Sequence, residues 1–244
     1  MVLSFVKLNA SGNDFIFIDG ACNLTASQII YLANRNFGVG CDQVVFIENR
    51  AKIDEKLTFD IRFFNSDGTA AGMCGNALRC LAGMYLQNGE TALVNIKNGR
   101  NTSISKENNM GMVFMPPVIL EKNLINIGNL HLVKVIQNDA EIEYSVSNEY
   151  NKNYVKILDN DTIFVTTIER GAGFTMACGS GICASAYYVY STNLLKNSNI
   201  KAITQGVKIG NQFGAQDEIL VKISAENIQL CGGWNFVFSG EISV

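Results

Sequence analysis

Apolar and polar positions alternate through Leu57, Phe59, Ile61 and Phe63 in LTFDIRFFN, the pattern of a half-buried strand. TIFVTTIE at 162–169 has the β-branched and aromatic richness of another. A loop follows each, and each loop ends in Cys-Gly: NSDGTAAGMCG at 65–75 and ERGAGFTMACG at 169–179. The next segments, NALRCLAGMYLQN and SGICASAYYVYSTNLL, have the length and apolar density of helices. Strand, loop, cysteine, helix is thus written twice. A further helix is predicted in TASQIIYLANRNFG, where Thr25 and Gln28 have capping-box spacing and Gly38 lies just past the end. The remainder reads mostly as short strands with Asn/Gly turns, such as KNGRN and IGNQFG.

The only two prolines, Pro116-Pro117, follow the strand-like run Met110 to Met115 and cannot both sit in a paired central strand. They predict two domains, 1–116 and 117–244, with a final strand near 236–244 that returns to the first. The halves share a second landmark. Ser11-Gly12-Asn13 precedes the apolar run Phe15 to Ile18, and Ile127-Gly128-Asn129 precedes the run Leu130 to Ile136. Each Gly-Asn leads on to a Cys-Gly, and this matching order predicts an internal duplication.

Composition narrows the class. A chain of 244 residues that is 48% apolar can bury a substantial core. No apolar stretch approaches the length of a membrane span, and MVLSFVKLNASGND lacks a basic region followed by an apolar run. A soluble, untargeted cytoplasmic protein is expected. A net charge of −3 without a Lys/Arg cluster argues against nucleic acid and membrane partners. Seven cysteines, an odd set without the spacing of a secreted disulfide framework, suit a reducing compartment.

A thiol at a helix start meets unpaired backbone N–H groups and the positive end of the helix dipole, and such cysteines titrate at roughly 3.5 to 7.5. The same N–H groups can hold a carboxylate, and glycine after the cysteine lets it come close. Two such starts could flank one carboxylate with a sulfur on each side of the adjacent carbon. Inverting that carbon requires a base on one face and an acid on the other, which a thiolate and a thiol supply. The competing interpretations are that Cys74 and Cys178 are inert buried thiols, or that one of them pairs with His131, the only histidine, as a nucleophile. A non-catalytic binding protein of the same fold is a third. The spacings Cys74 to Cys80 and Cys178 to Cys183 do not fit a zinc or thioredoxin-like site, and no segment signals PLP, metal or nucleotide binding.

The motifs ASGNDFIFID at 10–19, FGVGCDQ at 37–43, RFFNSDGTAAGMCGNALRC at 62–80, IGNLH at 127–131 and ERGAGFTMACGSGIC at 169–183 resemble those of the diaminopimelate epimerases, in the family's order and across both halves. The resemblance implies an α/β (α+β) fold of two pseudo-symmetric domains, each a mixed sheet wrapped around a central helix, with the active site in the interdomain cleft. It implies an isomerase without a cofactor, interconverting LL- and meso-diaminopimelate for lysine and peptidoglycan precursors, with Cys74 and Cys178 as the acid/base pair. Gly75-Asn76 and Gly179-Ser180 would hold the carboxylate at the reacting end. Asn13, Gln43, Asn65, Asn129, Asn151 and Arg170 would recognise the distal end, with Glu169 and a supporting His131 lining the site. A homodimer is the expected assembly. Ala77-Leu78 and Leu130 stand where the family usually has Gly-Ala and Pro, and a racemase of another amino acid on this scaffold is the alternative.

Overall fold

The structure is a computed structural model that describes residues 1–53, 56–97, 99–115, 118–212, 218–225 and 227–244. Pro116-Pro117 lie outside the described residues. The chain forms two compact units, one of residues 1–112 with 234–244 and the other of residues 113–233.

The first unit begins with a hairpin of β1 (Val2–Ala10) and β2 (Asn13–Asp19), turned through Ser11 and Gly12 at positive φ. Helix α1 (Ala26–Ala33) follows, then β3 (Gln43–Ile53), parallel to β2, and β4 (Lys56–Asn65), antiparallel to β3. Burial explains the sequence of the parallel pair. Phe15 to Ile18 of β2 and Val44 to Ile47 of β3 are buried on both faces, so they read as continuous apolar runs. One face packs on α1 through Ile16, Ile18, Val44, Phe46, Ile29 and Leu32. The capping box at Thr25 and Gln28 is formed.

A short β5 (Ala70–Ala71) leads into α2 (Gly75–Tyr85), which carries the chain over to β6 (Thr91–Ile96), parallel to β4. Strands β7 (Thr102–Glu107) and β8 (Met110–Met115) complete the run, and the chain passes into the second unit within β8. Helix α2 packs on β1 and β7. The first unit is closed by β18 (Asn235–Ser243), antiparallel to β1.

The second unit repeats this order. After β9 (Ile119–Glu121), strand β10 (Leu124–Asn126) turns through Gly128 into β11 (Leu130–Val135). Strand β11 is parallel to β12 (Asn151–Ile157), which is antiparallel to β13 (Thr162–Glu169). A short β14 (Gly173–Thr175) leads into α3 (Gly179–Ser191), which carries the chain to β15 (Asn199–Ile203), parallel to β13. Strands β16 (Ile219–Ile223) and β17 (Ile228–Gly232) end the unit. Helix α3 packs against β10 to β13 and β15 to β17 and is the central helix of its unit.

One segment differs from the pattern expected. Residues Ile209 to Gln212 of IGNQFG belong to a helix, α4 (Gln205–Gln212), where a turn is the sequence expectation. The Thr204 hydroxyl accepts from the Val207 N–H at the start of α4, and Gly206 and Val207 are buried. Cap and burial together outweigh the poor helix propensity of Gly210 and Asn211. Among the described residues no helix is long and apolar enough to cross a membrane.

Candidate active site

Cys74 and Cys178 occupy the same place in the repeat, immediately before α2 and α3 as N-cap residues. Their backbones agree closely, with φ −121 and ψ 111 at Cys74 and φ −118 and ψ 110 at Cys178. Their carbonyls accept the first helical bonds, from the N–H of Leu78 at 3.0 Å and of Ile182 at 2.9 Å. The N–H groups of Gly75, Asn76 and Ala77, and of Gly179, Ser180 and Gly181, then belong to first helical turns, where helix geometry supplies no intrahelical acceptor. An anion placed there meets several donors and the positive end of the dipole.

In the first unit, the turn through Gly12 puts Asn13 at the head of β2. The Asn13 amide donates to Asp42 Oδ2 at 2.9 Å, and its Oδ1 accepts from Asn76 Nδ2 at 2.7 Å. Behind them lies Arg79 of α2, fully buried, donating to Ser11 Oγ at 2.8 Å and to Asn76 Oδ1 at 3.0 Å. On the other flank Arg35 bridges Asp14 at 2.7 Å and Asp42 at 2.9 Å, and Lys7 meets Asp14 at 2.9 Å. Burial opposes ionisation of Asp14, but Arg35 and Lys7 outweigh it and hold the carboxyl below its ordinary range. This cluster fixes the side chains of Asn13 and Asn76.

Gln43 and Asn65 face each other across β3 and β4, and Gln43 Nε2 donates to Asn65 Oδ1 at 3.0 Å. The buried Gln43 Oε1 has no partner among the described residues, which leaves an acceptor for a ligand ammonium or N–H. The departures at 77 and 78 face the core, since Ala77 and Leu78 are buried, and burial pushes the Cys41 thiol of FGVGCDQ up to about 12.

In the second unit the Cys178 sulfur lies 3.5 Å from Ser180 Oγ, which is 3.0 Å from His131 Nε2. The same ring nitrogen lies 2.9 Å from Asn129 Oδ1. Asn151, at the head of β12 and in register with His131, accepts from the Arg170 N–H at 2.8 Å and so pins the turn that follows β13. The Arg170 side chain is exposed at that turn. Glu169 accepts from the Thr175 hydroxyl at 2.6 Å. His131 is 0% exposed, and burial pushes its imidazole down to about 4.

The structure links part of the expected set to the helix starts: Asn13 bonds Asn76 at the start of α2, Ser180 at the start of α3 meets His131, as does Asn129, and Gly75 and Gly179 open those helices. Gln43 and Asn65 form a separate pair in the first unit, and Asn151, Glu169 and Arg170 lie at the ends of β12 and β13 in the second. Sequence inspection missed the residues behind them. Arg79 had a signal, a cation in an otherwise apolar helical stretch. Asn153, which meets His131, and Thr167, which donates to Asn153, lie two residues from Asn151 and Glu169, on the same strand faces. Among the described residues no three His, Cys, Asp or Glu side chains are placed to hold a metal ion.

Comparisons with known proteins give the chain's relatives and its fold. A family model described as diaminopimelate epimerase matches residues 5–120. A diaminopimelate epimerase of Cupriavidus pinatubonensis is 28% identical, with 100% of this chain and 98% of that protein covered. One from Legionella pneumophila is 32% identical, over 76% of this chain and 82% of that protein. Among solved structures, a phenazine biosynthesis protein of the PhzF family from Enterococcus faecalis superposes with TM-score 0.71 at 13% identity, covering 100% of both chains. A hydroxyproline epimerase from Agrobacterium vitis, with bound trans-4-hydroxy-L-proline, gives TM-score 0.62 at 10% identity over 99% of this chain and 92% of that one. At such identities these structures show the shared fold, and the sequence relatives carry the closer relationship. With both cysteine-bearing helix starts in place and relatives aligned along the whole chain, this protein belongs to the diaminopimelate epimerase family.

Proposed function

We propose that this protein interconverts LL- and meso-diaminopimelate without a cofactor, using Cys74 and Cys178 as the two proton-transferring groups at one α-carbon. The observation that carries this is the pair of N-cap cysteines with matching backbone geometry at equivalent points of a repeated topology. A stereocentre has two faces, and a duplicated arm with one sulfur each is a direct way to serve both. One sulfur, as thiolate, removes the α-proton, and the other, as thiol, delivers a proton to the opposite face. The reverse reaction exchanges the roles.

The first-turn N–H groups of α2 and α3 would hold the reacting carboxylate and stabilise the charge that develops as the α-carbon loses its proton. Gln43 Oε1, Asn65, Asn129 and Asn151 offer acceptors and donors to the ammonium and carboxylate of the distal end. The exposed Arg170 guanidinium suits a carboxylate through two parallel hydrogen bonds. The product would supply lysine and peptidoglycan precursor synthesis in the cytoplasm, and a homodimer is the proposed assembly.

Proton NMR of the reduced protein with meso-diaminopimelate in D₂O, without added PLP, tests the reaction. The α-proton signal is expected to disappear as the LL isomer grows. No exchange by folded, reduced protein would reject diaminopimelate as the substrate and open a panel of other amino acids. Cys74→Ser and Cys178→Ser should each lower turnover at least about a hundredfold, the low end of what a positioned acid or base supplies. Near-normal turnover in either variant would sink the two-sulfur mechanism.

A further inference from the structure

Behind the second helix start lie two buried polar side chains, Asn153, which meets His131, and Thr167, which meets Asn153. Asn153 is 0% exposed and Thr167 is 3% exposed, and they face each other across β12 and β13. We propose that Asn153 and Thr167 are positioning residues. They hold His131 as the tautomer with its proton on Nε2, and thereby commit the Ser180 hydroxyl to hydrogen-bond the Cys178 sulfur.

The direction follows from the chain of donors. Thr167 Oγ1 donates to Asn153 Oδ1 at 3.0 Å, which turns the amide NH₂ toward His131, with Nδ2 2.9 Å from Nδ1. An NH₂ group only donates, so Nδ1 carries no proton and a neutral ring carries its proton on Nε2. That N–H is shared between Asn129 Oδ1 at 2.9 Å and Ser180 Oγ at 3.0 Å. A protonated Nε2 cannot accept from Ser180. Among the described residues the other partner of the Ser180 hydroxyl is the Cys178 sulfur at 3.5 Å, so the hydroxyl proton is directed there. A hydrogen bond donated to sulfur favours the thiolate over the thiol, which makes Cys178 the sulfur prepared to act as the base at rest.

A second observation points to the same amide. A Cβ on Gly181 would stand 2.3 Å from Asn153 Oδ1 and 3.2 Å from Thr167 Oγ1, so the first turn of α3 rests directly on this pair. The equivalent residue of the first half is Ala77, three residues after its cysteine, so a helix start of this kind does not itself demand glycine. The glycine is demanded by the Asn153 amide beneath it.

The chain has one histidine, so protein labelled with ¹⁵N-histidine reports this ring alone. Long-range ¹H–¹⁵N correlation at pH 7 should show a protonated Nε2 and a bare Nδ1, and a protonated Nδ1 in the unmodified protein would overturn the proposal. Asn153→Asp sets an acceptor-only carboxylate against Nδ1 and should draw a proton onto it; a bare Nδ1 in that variant would also overturn it. Thr167→Val, close in shape, removes the donor to Asn153 Oδ1 and releases the amide to rotate. It should give a mixture of tautomers, lower turnover at least about tenfold, the direction a wrong histidine tautomer imposes, and slow alkylation of Cys178 by iodoacetamide in peptide mass spectra. A changed tautomer with unchanged Cys178 alkylation would break the link to the sulfur. Only the turnover arm rests on the epimerase reading: the expected tautomer without diaminopimelate turnover would fault the substrate, and turnover with a protonated Nδ1 would fault this inference.

Discussion

His131 sits in β11 with no exposed surface, and burial moves its imidazole from an ordinary value of 6.5 to about 4. Between those values the unfolded chain binds a proton that the folded chain refuses. The stability gained from the neutral ring is therefore fully present above the unfolded value and lost as pH falls below it, at about 1.4 kcal/mol per pH unit. Thermal melting between pH 7 and 5, above the range of ordinary carboxylates, should show the midpoint falling more steeply in the unmodified protein than in His131→Asn. Equal slopes would mean that the folded protein binds the proton as readily as the unfolded chain does. At this scale the sequence displayed the residues proposed to touch a ligand, because Cys-Gly and Gly-Asn recur as short motifs. The residues that hold them in place were hidden. Arg79, Asn153 and Thr167 act through neighbours distant in the chain, and their value depends on burial that no local pattern records.

At the scale of the element, helices and strands followed their patterns where one face was buried and the other was not. Strand β6, TALVNI, alternates exposed and buried along its whole length. The two helix starts were legible because a strand-to-helix crossover writes a change of period into the chain. Residues Ile209 to Gln212 of IGNQFG were misjudged because Gly210 and Asn211 are turn residues by propensity, while the Thr204 cap and a buried Val207 decide the conformation; Phe213 and Gly214 lie outside the described residues. Helix α2 supplies a test of packing. A Cβ on Gly83 would stand 2.0 Å from Trp234 Nε1, and that indole donates to the Asn109 carbonyl at 3.2 Å. Gly83→Ala should cost about 1–3 kcal/mol, as overpacking does. Because Trp234 is the only tryptophan, its emission should shift in the native state of the variant, with the midpoint of urea unfolding lowered. An unshifted emission and midpoint would mean that the indole moves aside at no cost.

At the scale of the molecule, the chain carries one plan twice: a Gly-Asn turn, a parallel and then an antiparallel strand pair, and a helix crossover begun by cysteine. The proposed mechanism requires both sulfurs to approach one carbon, so mild oxidation without substrate should join Cys74 to Cys178, and bound diaminopimelate should slow that reaction. Mass spectrometry of a non-reduced digest that finds neither cysteine in this bond would count against the two-sulfur mechanism. Amino-acid order alone determined the duplication, the two cysteines and the helices they begin, because these rest on local spacing and on the period of burial. Tertiary structure alone decided which polar side chains support them. A buried Arg79 beneath Asn76 and a buried Asn153 beneath His131 are ordinary letters in the sequence. Their roles arise when strands and helices far apart in the chain enclose them, and a buried polar group must then find its hydrogen-bond partners among whatever neighbours the fold provides.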